Sequence, residues 1–237
     1  MEYEKVMKQL KSMGDPKNIE GMGRFGIKTD NNLGVSVTTI RNYAKKIGKN
    51  HELAVNLWES GIRDARMVAA CIEDPNTVSE EQVDKWVRDL DSWDICDHCC
   101  GHFFDQTPFA YKKVREWTKS NELFVKRAGF SLIAWLAVHD KKKNDSEFES
   151  FLKIIKREST DERNYVKKAV NWALRQIGKR NYKMNKKALS ISKEIQKLDS
   201  KAAKWIASDA IRELTSDKVQ EKLKKRKKNK KNNKLNR

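Results

Sequence analysis

Within Ser92-Trp93-Asp94-Ile95-Cys96-Asp97, an indole and a carboxylate stand four residues apart. On a helix that spacing puts Trp93 and Asp97 on one face, roughly 40° apart around the axis. An aromatic surface beside a carboxylate is a poor cradle for phosphate and a good one for something flat and cationic. Yet the chain is strongly basic, with 51 Lys and Arg against 33 Asp and Glu, a formal +18. A cationic, reactive group carried on a polyanion would reconcile the acidic-aromatic spot with the basic body. Asp94 is offset from Asp97 on the same helix and is expected to cap or brace its neighbours.

The residues that follow, Cys96-Asp97-His98-Cys99-Cys100-Gly101-His102, include zinc-type ligands. On a helix, however, the three cysteines share one face, with His98 and His102 together on roughly the opposite one. The spacing therefore predicts buried cysteines, two surface histidines and no metal site. The sequence holds no G-x-x-x-x-G-K-[ST], G-x-G-x-x-G or G-x-S-x-G, so nucleotide hydrolysis and serine-hydrolase chemistry have no motif here and no cofactor is implied. Gly21-Met22-Gly23-Arg24-Phe25-Gly26 lacks a preceding strand and reads as a turn. Of the seven tryptophans most belong in an inter-helix core. Trp172 differs because it follows Lys167-Lys168 on the same expected face, and the sequence is compatible with either a core or a ligand-facing indole.

These side chains must be positioned by helices. Apolar residues recur at spacings of three and four over 36–48, 50–59, 62–73, 79–91, 93–106, 109–118, 122–139, 146–157, 161–178, 185–197, 200–214 and 216–227. Pro16, Pro75 and Pro108 fall between these segments, Ser79 with Gln82 reads as a capping box, and Asp199-Ser200 as another helix start. No stretch alternates long enough to be a strand. Phe124-Val125-Lys126-Arg127-Ala128-Gly129-Phe130 is echoed 41 residues later by Tyr165-Val166-Lys167-Lys168-Ala169-Val170-Asn171. In turn, Ala169–Arg175 is echoed 37 residues later by Ile206–Arg212. A period near 40 is that of HEAT and armadillo repeats. The expected fold is all-α, a superhelical solenoid of HEAT-like helical hairpins whose second helices line a concave face and open on basic residues, where the helix dipole also favours phosphate.

Composition narrows the partners. Ten Lys and Arg and no acid fall in 222–237, leaving +8 on residues 1–221. The organisation expected is a repeat domain over 1–221 that itself meets nucleic acid, then a basic, disordered tail over 222–237. No run approaches the roughly 18 apolar residues of a membrane span. The charged N-terminus does not read as a signal peptide. Four cysteines fit reduced thiols. A cytoplasmic monomer is expected.

Four ordered motifs, Phe25-Gly26-Ile27-Lys28, Trp93-Asp94-Ile95-Cys96-Asp97, Phe124-Val125-Lys126-Arg127 and Lys168-Ala169-Val170-Asn171-Trp172-Ala173-Leu174-Arg175, span roughly residues 20–215. In them the chain resembles the AlkD-like DNA alkylation repair proteins. The resemblance implies a HEAT-like solenoid acting on double-stranded DNA and excision of cationic N3- and N7-alkylated purines as a monofunctional glycosylase. It assigns Trp93 and Trp172 as the aromatic pair flanking the lesion, Asp97 as the catalytic carboxylate and Arg127 as a backbone-gripping arginine. Lys126, Lys167, Lys168 and Arg175 join Arg127 as expected phosphate contacts. An N-alkylated purine already carries positive charge and leaves neutral, so one carboxylate can stabilise the oxocarbenium-like sugar and orient water. The alternative is a noncatalytic HEAT-repeat protein that binds branched or distorted DNA; repeat architecture alone would also fit a protein-interaction scaffold.

Overall fold

Short polar side chains start many of the helices. In the computed structural model, which describes residues 2–235 and side chains through residue 226, Ser36, Asn50, Ser79, Asn181 and Ser200 each accept a hydrogen bond from the backbone N–H three residues on. Each satisfies an amide that the first turn leaves without an intrahelical acceptor. The helices are α1 (Glu2–Ser12), α2 (Pro16–Arg24), α3 (Val37–Ile47), α4 (His51–Glu59), α5 (Arg63–Ile72), α6 (Glu80–Arg88), α7 (Trp93–His102), α8 (Ala110–Trp117), α9 (Leu123–His139), α10 (Asp145–Glu158), α11 (Asn164–Gly178), α12 (Tyr182–Gln196), α13 (Lys201–Thr215) and α14 (Asp217–Leu235). There is no strand among the described residues. Nor is any described helix long and apolar enough to cross a membrane.

The twelve segments read from periodicity correspond to α3 through α14. The two additional helices lie at the start. Helix α1 buries only Val6, Met7 and Leu10 among charged residues, too short a stripe to stand out. Helix α2 begins at Pro16, with the Asp15 carboxylate accepting from Lys17 N–H, and buries no residue fully. It contains Gly21 and Gly23, so the turn expected over Gly21–Gly26 is confined to its end, where Gly26 adopts φ +71. At the other end, α14 crosses the expected 221–222 boundary. Leu223 is buried, and Arg226 Nη1 donates to the Lys179 carbonyl at 2.7 Å. Of the expected tail, 236–237 lie outside the described residues, as do the side chains from 227 on.

The chain divides into two compact units, Met1–Lys113 and Val114–Arg237. In the first, α5 packs against α3, α4 and α7. Trp58 of α4 and Trp86 of α6 stack with centroids 4.1 Å apart and planes 2° from parallel. Phe103 meets Trp86 at 5.2 Å. Asp64, in the first turn of α5, accepts from Leu33 N–H at 2.7 Å and Val35 N–H at 2.9 Å, fixing the segment between α2 and α3. Gly34 in that segment sits at φ +75, and a Cβ there would stand 2.2 Å from the Asp15 carbonyl oxygen. Only glycine fits.

In the second unit, α9, α11 and α13 begin at Leu123, Asn164 and Lys201, the same 41- and 37-residue intervals at which the sequence echoes itself. Helix α11 packs on both α9 and α13, while α10 pairs with α11 and α12 with α13, giving helical hairpins in series. Buried Asn171 ties α11 to α13 by donating to the Ile206 carbonyl at 3.1 Å. Asn185 does the same for α12, donating to the Gly178 and Leu214 carbonyls at 3.2 and 3.3 Å. Each buried amide thereby finds partners for its own donors while joining neighbouring helices.

Candidate functional site

In the first unit, Trp93 opens α7 and Asp97 follows one turn later, both half-buried. The indole is fixed rather than loose: Trp93 Nε1–H donates to the Phe25 carbonyl at 3.1 Å. Phe25 itself, which ends α2, is 76% exposed. Close by, Lys28 N–H reaches the Ser92 hydroxyl at 3.3 Å and Lys28 Nζ pairs with Asp91 at 2.7 Å. The Phe25–Lys28 motif and the Trp93–Asp97 motif are therefore joined by hydrogen bonds.

The two carboxylates of α7 have different surroundings. Asp94 is 8% exposed. It accepts from Arg63 Nε at 2.7 Å, Arg63 Nη2 at 2.6 Å and Ser92 Oγ at 2.8 Å. Both Arg63 contacts converge on Oδ2, and this charge-assisted pairing makes Asp94 the brace that holds α7 to α5. Asp97, one turn further on, is half-buried.

The remaining side of α7 is apolar. Cys96, Cys99 and Cys100 are buried, as the spacing predicts. Burial pushes the Cys99 and Cys100 thiols well above the usual range, and Cys71 is pushed up to about 11 for the same reason. Such thiols stay protonated and unreactive. His98 departs from expectation: it is buried, not a surface residue. Its Nε2 lies 3.0 Å from the Met67 carbonyl and 3.3 Å from Cys71 Sγ. A carbonyl can only accept, so Nε2 carries the hydrogen. Burial, and then the neighbouring His102, push the imidazole down to about 3. The helical wheel missed this because α5 covers the His98 face as well, which α7 alone does not show.

The second unit holds the other expected residues. Trp172, half-buried on α11, meets the Trp135 ring edge-on at 5.6 Å. Lys168 is exposed and has no ion-pair partner among the described residues. Lys167 lies 5.4 Å over the ring of Trp205, itself 42% exposed, and the ammonium and indole together form an outward-facing cation–π pair. The sequence, which assigns most of the tryptophans to a core, does not single out Trp205; a tryptophan beside a basic helix start was the available signal.

Three expected phosphate contacts are engaged within the protein. Lys126 is 8% exposed, with Nζ at 2.6 Å from Glu158 and 3.3 Å from Asp161. Arg127 is 5% exposed and donates from Nη1 to the Tyr165 carbonyl at 2.7 Å. Arg175 pairs with Glu213 and lies 3.6 Å from Asp209. Hydrogen bonds from Lys179 and Arg175 outweigh the burial that would raise Glu213, so its carboxyl falls below the usual range. Glu158 and Asp161 behave likewise toward Lys126, Arg157 and Arg163. The basic opening of α9 is thus matched by acids from the end of α10 and the turn after it, whereas Lys168 in α11 is not.

With this geometry in place, comparison with known proteins gives three findings. A family model described as DNA alkylation repair enzyme matches residues 6–214. The uncharacterised proteins Lin0241 of Listeria innocua and Lmo0209 of Listeria monocytogenes are 23% and 22% identical over 200 residues, 83% of this chain and 87% of each relative. A solved structure, described as a new family of proteins related to the HEAT-like repeat DNA glycosylases with affinity for branched DNA structures, matches with a TM-score of 0.75 at 25% identity. That match covers 90% of this chain and 95% of the other. The all-helical, HEAT-like repeat fold expected from the 40-residue period is the fold found.

Proposed function

Because the chain belongs to the family of DNA alkylation repair enzymes, we propose that it is a monofunctional glycosylase hydrolysing the N-glycosidic bond of cationic N3- and N7-alkylated purines in double-stranded DNA. The observation that carries this reading is the placement of Asp97, half-buried one turn along α7 from an indole locked to the Phe25 carbonyl, on a helix that Asp94 braces through Arg63.

In this mechanism the Asp97 carboxylate stabilises the positive charge that develops on the sugar and orients the attacking water. No general acid is needed, since the alkylated base departs neutral. Trp93 offers its π-face to the cationic base or sugar, a contact worth about 0.5–2 kcal/mol, and Trp172 supplies the corresponding surface in the second unit. Lys167 and Lys168 contact phosphate, with Trp205 under Lys167. Lys126, Arg127 and Arg175 act one step back, shaping the backbone of α9–α13.

The test is release of 7-methylguanine and 3-methyladenine from methylated duplex, wild type beside Asp97→Asn. The variant is expected to bind DNA as wild type does and to lose about 100-fold or more in release rate. Full release by the variant overturns the mechanism.

A second reading has its own support: the structural relative described as having affinity for branched DNA, together with the internal pairing of Lys126 and Arg175. In it the chain binds branched or distorted DNA without excision. No base release from any alkylated substrate, with tight binding to a four-way junction, would select it.

A further inference from the structure

The second unit carries another basic concavity, remote in sequence from the lysines that open α11. Its volume is about 470 Å³. Five cationic side chains, Lys141, Lys179, Lys218, Lys222 and Arg226, line it against one carboxylate, Glu213. The floor includes the apolar Val219 and Leu223, both buried. The size lies within the range of ligand-binding cavities, about 300–1,000 Å³.

Part of this charge has a local purpose. Lys141 Nζ donates to the Ala137 carbonyl at 3.2 Å, Arg226 Nη1 to the Lys179 carbonyl at 2.7 Å, and Lys179 Nζ to Glu213 at 2.6 Å. Cations at helix C-terminal carbonyls are favoured by the dipole. Lys218 and Lys222 have no such partner among the described residues. Moreover, Lys218 sits in the first turn of α14, where the dipole opposes a positive charge. Lys141 is held below the usual lysine range by partial desolvation and then by Arg180, Arg226 and Lys222. Five cations against one lining carboxylate leave the cavity a surplus of positive charge that an anion would offset.

We propose that this cavity is a second phosphate-binding site, occupied by the backbone of a DNA arm other than the one held at the start of α11. The inference rests on the DNA-binding reading above. Two observations favour a polymer over a free phosphate. The wall helix α14 continues as a run of like charge, with ten Lys and Arg and no acid over 222–237, which matches a chain of phosphates rather than one. The site also lies at the opposite end of α11 from Lys168: Lys179 is eleven residues further on, about 16 Å along the axis. Phosphate held at both ends of one helix suits a substrate with more than one duplex arm.

Binding by the full chain to an immobile four-way junction and to a linear duplex of one arm's sequence tests this. Lys218→Glu/Lys222→Glu is expected to lose about tenfold or more of junction affinity, with duplex affinity within about twofold of wild type. Lys218→Gln/Lys222→Gln should show a smaller loss in the same direction, which keeps the test open if charge reversal impairs folding. Equal losses on both substrates, or no loss on the junction, overturn the inference. So does abolition of the junction preference by excess dAMP, which would assign the cavity to a free nucleotide. A wild type that binds duplex without preferring the junction overturns this inference alone. A wild type that binds neither overturns the DNA-binding reading with it.

Discussion

Asp94→Ala is expected to lower the melting temperature steeply, whereas Asp97→Asn, one turn away on the same helix, is expected to leave stability within about 1 kcal/mol of wild type. The magnitude for Asp94 follows from what its carboxylate touches. Removing Asp94 deprives Arg63, itself buried, of acceptors at 2.6 and 2.7 Å. Its other carboxylate contact is Asp64 Oδ1 at 3.3 Å, and the Asp64 oxygens already hold the Leu33 and Val35 amides. Removing one member of a buried ion pair costs about 3–5 kcal/mol, mostly because the other charge stays buried. For a chain of this size each kcal/mol shifts the midpoint by about 2–4 °C, so the loss comes to about 6–20 °C. Arg63→Met/Asp94→Leu, which removes both charges and keeps apolar bulk, should recover most of it. Thermal melts followed by far-UV circular dichroism at neutral pH read all three variants against wild type. An Asp94→Ala protein melting within about 2 °C of wild type, or a double variant melting as low as the single one, refutes the bracing role.

Three further outcomes are expected. His98 is neutral down to about pH 3 in the folded chain, against an ordinary value of 6.5. Between those values the unfolded chain binds the extra proton, so stability falls as pH drops through that window, by up to about 1.4 kcal/mol per pH unit. His98→Gln should flatten this slope in urea midpoints taken between pH 7 and 4, and an unchanged slope would count against the buried, neutral imidazole. Lys168→Ala should reduce the slope of log affinity against log salt by about 0.9 without changing the melting temperature. Lys126→Ala should do the reverse, since it removes a buried ammonium paired with Glu158 at 2.6 Å, and a matching pattern in both variants would defeat the distinction. Gly129→Ala should destabilise by about 1–3 kcal/mol, because its Cβ would stand 2.7 Å from Thr118 N in a packed helix contact; a melt unchanged from wild type would show that α9 yields there.

The helices were legible because their burial is one-sided: α11 buries Val166, Ala169, Val170, Ala173, Leu174 and Ile177 at the period of a helix. Helix α2, which buries nothing fully, left no such trace. The paired motifs around Trp93 and Asp97 were legible as chemistry because side-chain type and spacing alone set which face they share. Partners were not legible. Lys126 and Lys168 look alike in sequence, each beside a second cation near a helix start. Only the acids brought up from 158 and 161 separate them. His98 failed for the same reason, its neighbours Met67 and Cys71 lying some thirty residues away.

Ion pairing also changes what the net charge means. A salt bridge removes one charge of each sign, so the +8 on residues 1–221 is untouched by the pairing of Lys126 or Arg175. The excess must reside on cations that have no carboxylate beside them. Lys168 and Lys218 are two such residues among those described: Lys168 lies near the start of α11, and Lys218 lines the cavity that also holds Lys179, just past the end of α11. Had the basic helix openings stayed unpaired, the positive face would have followed the repeat, one patch per hairpin along a single track for a single duplex. Matching Lys126 internally while leaving Lys168 and Lys218 without an ion pair breaks that track into separate patches. The pattern of acids, more than the surplus of lysines, therefore sets the geometry in which this chain can meet a polyanion.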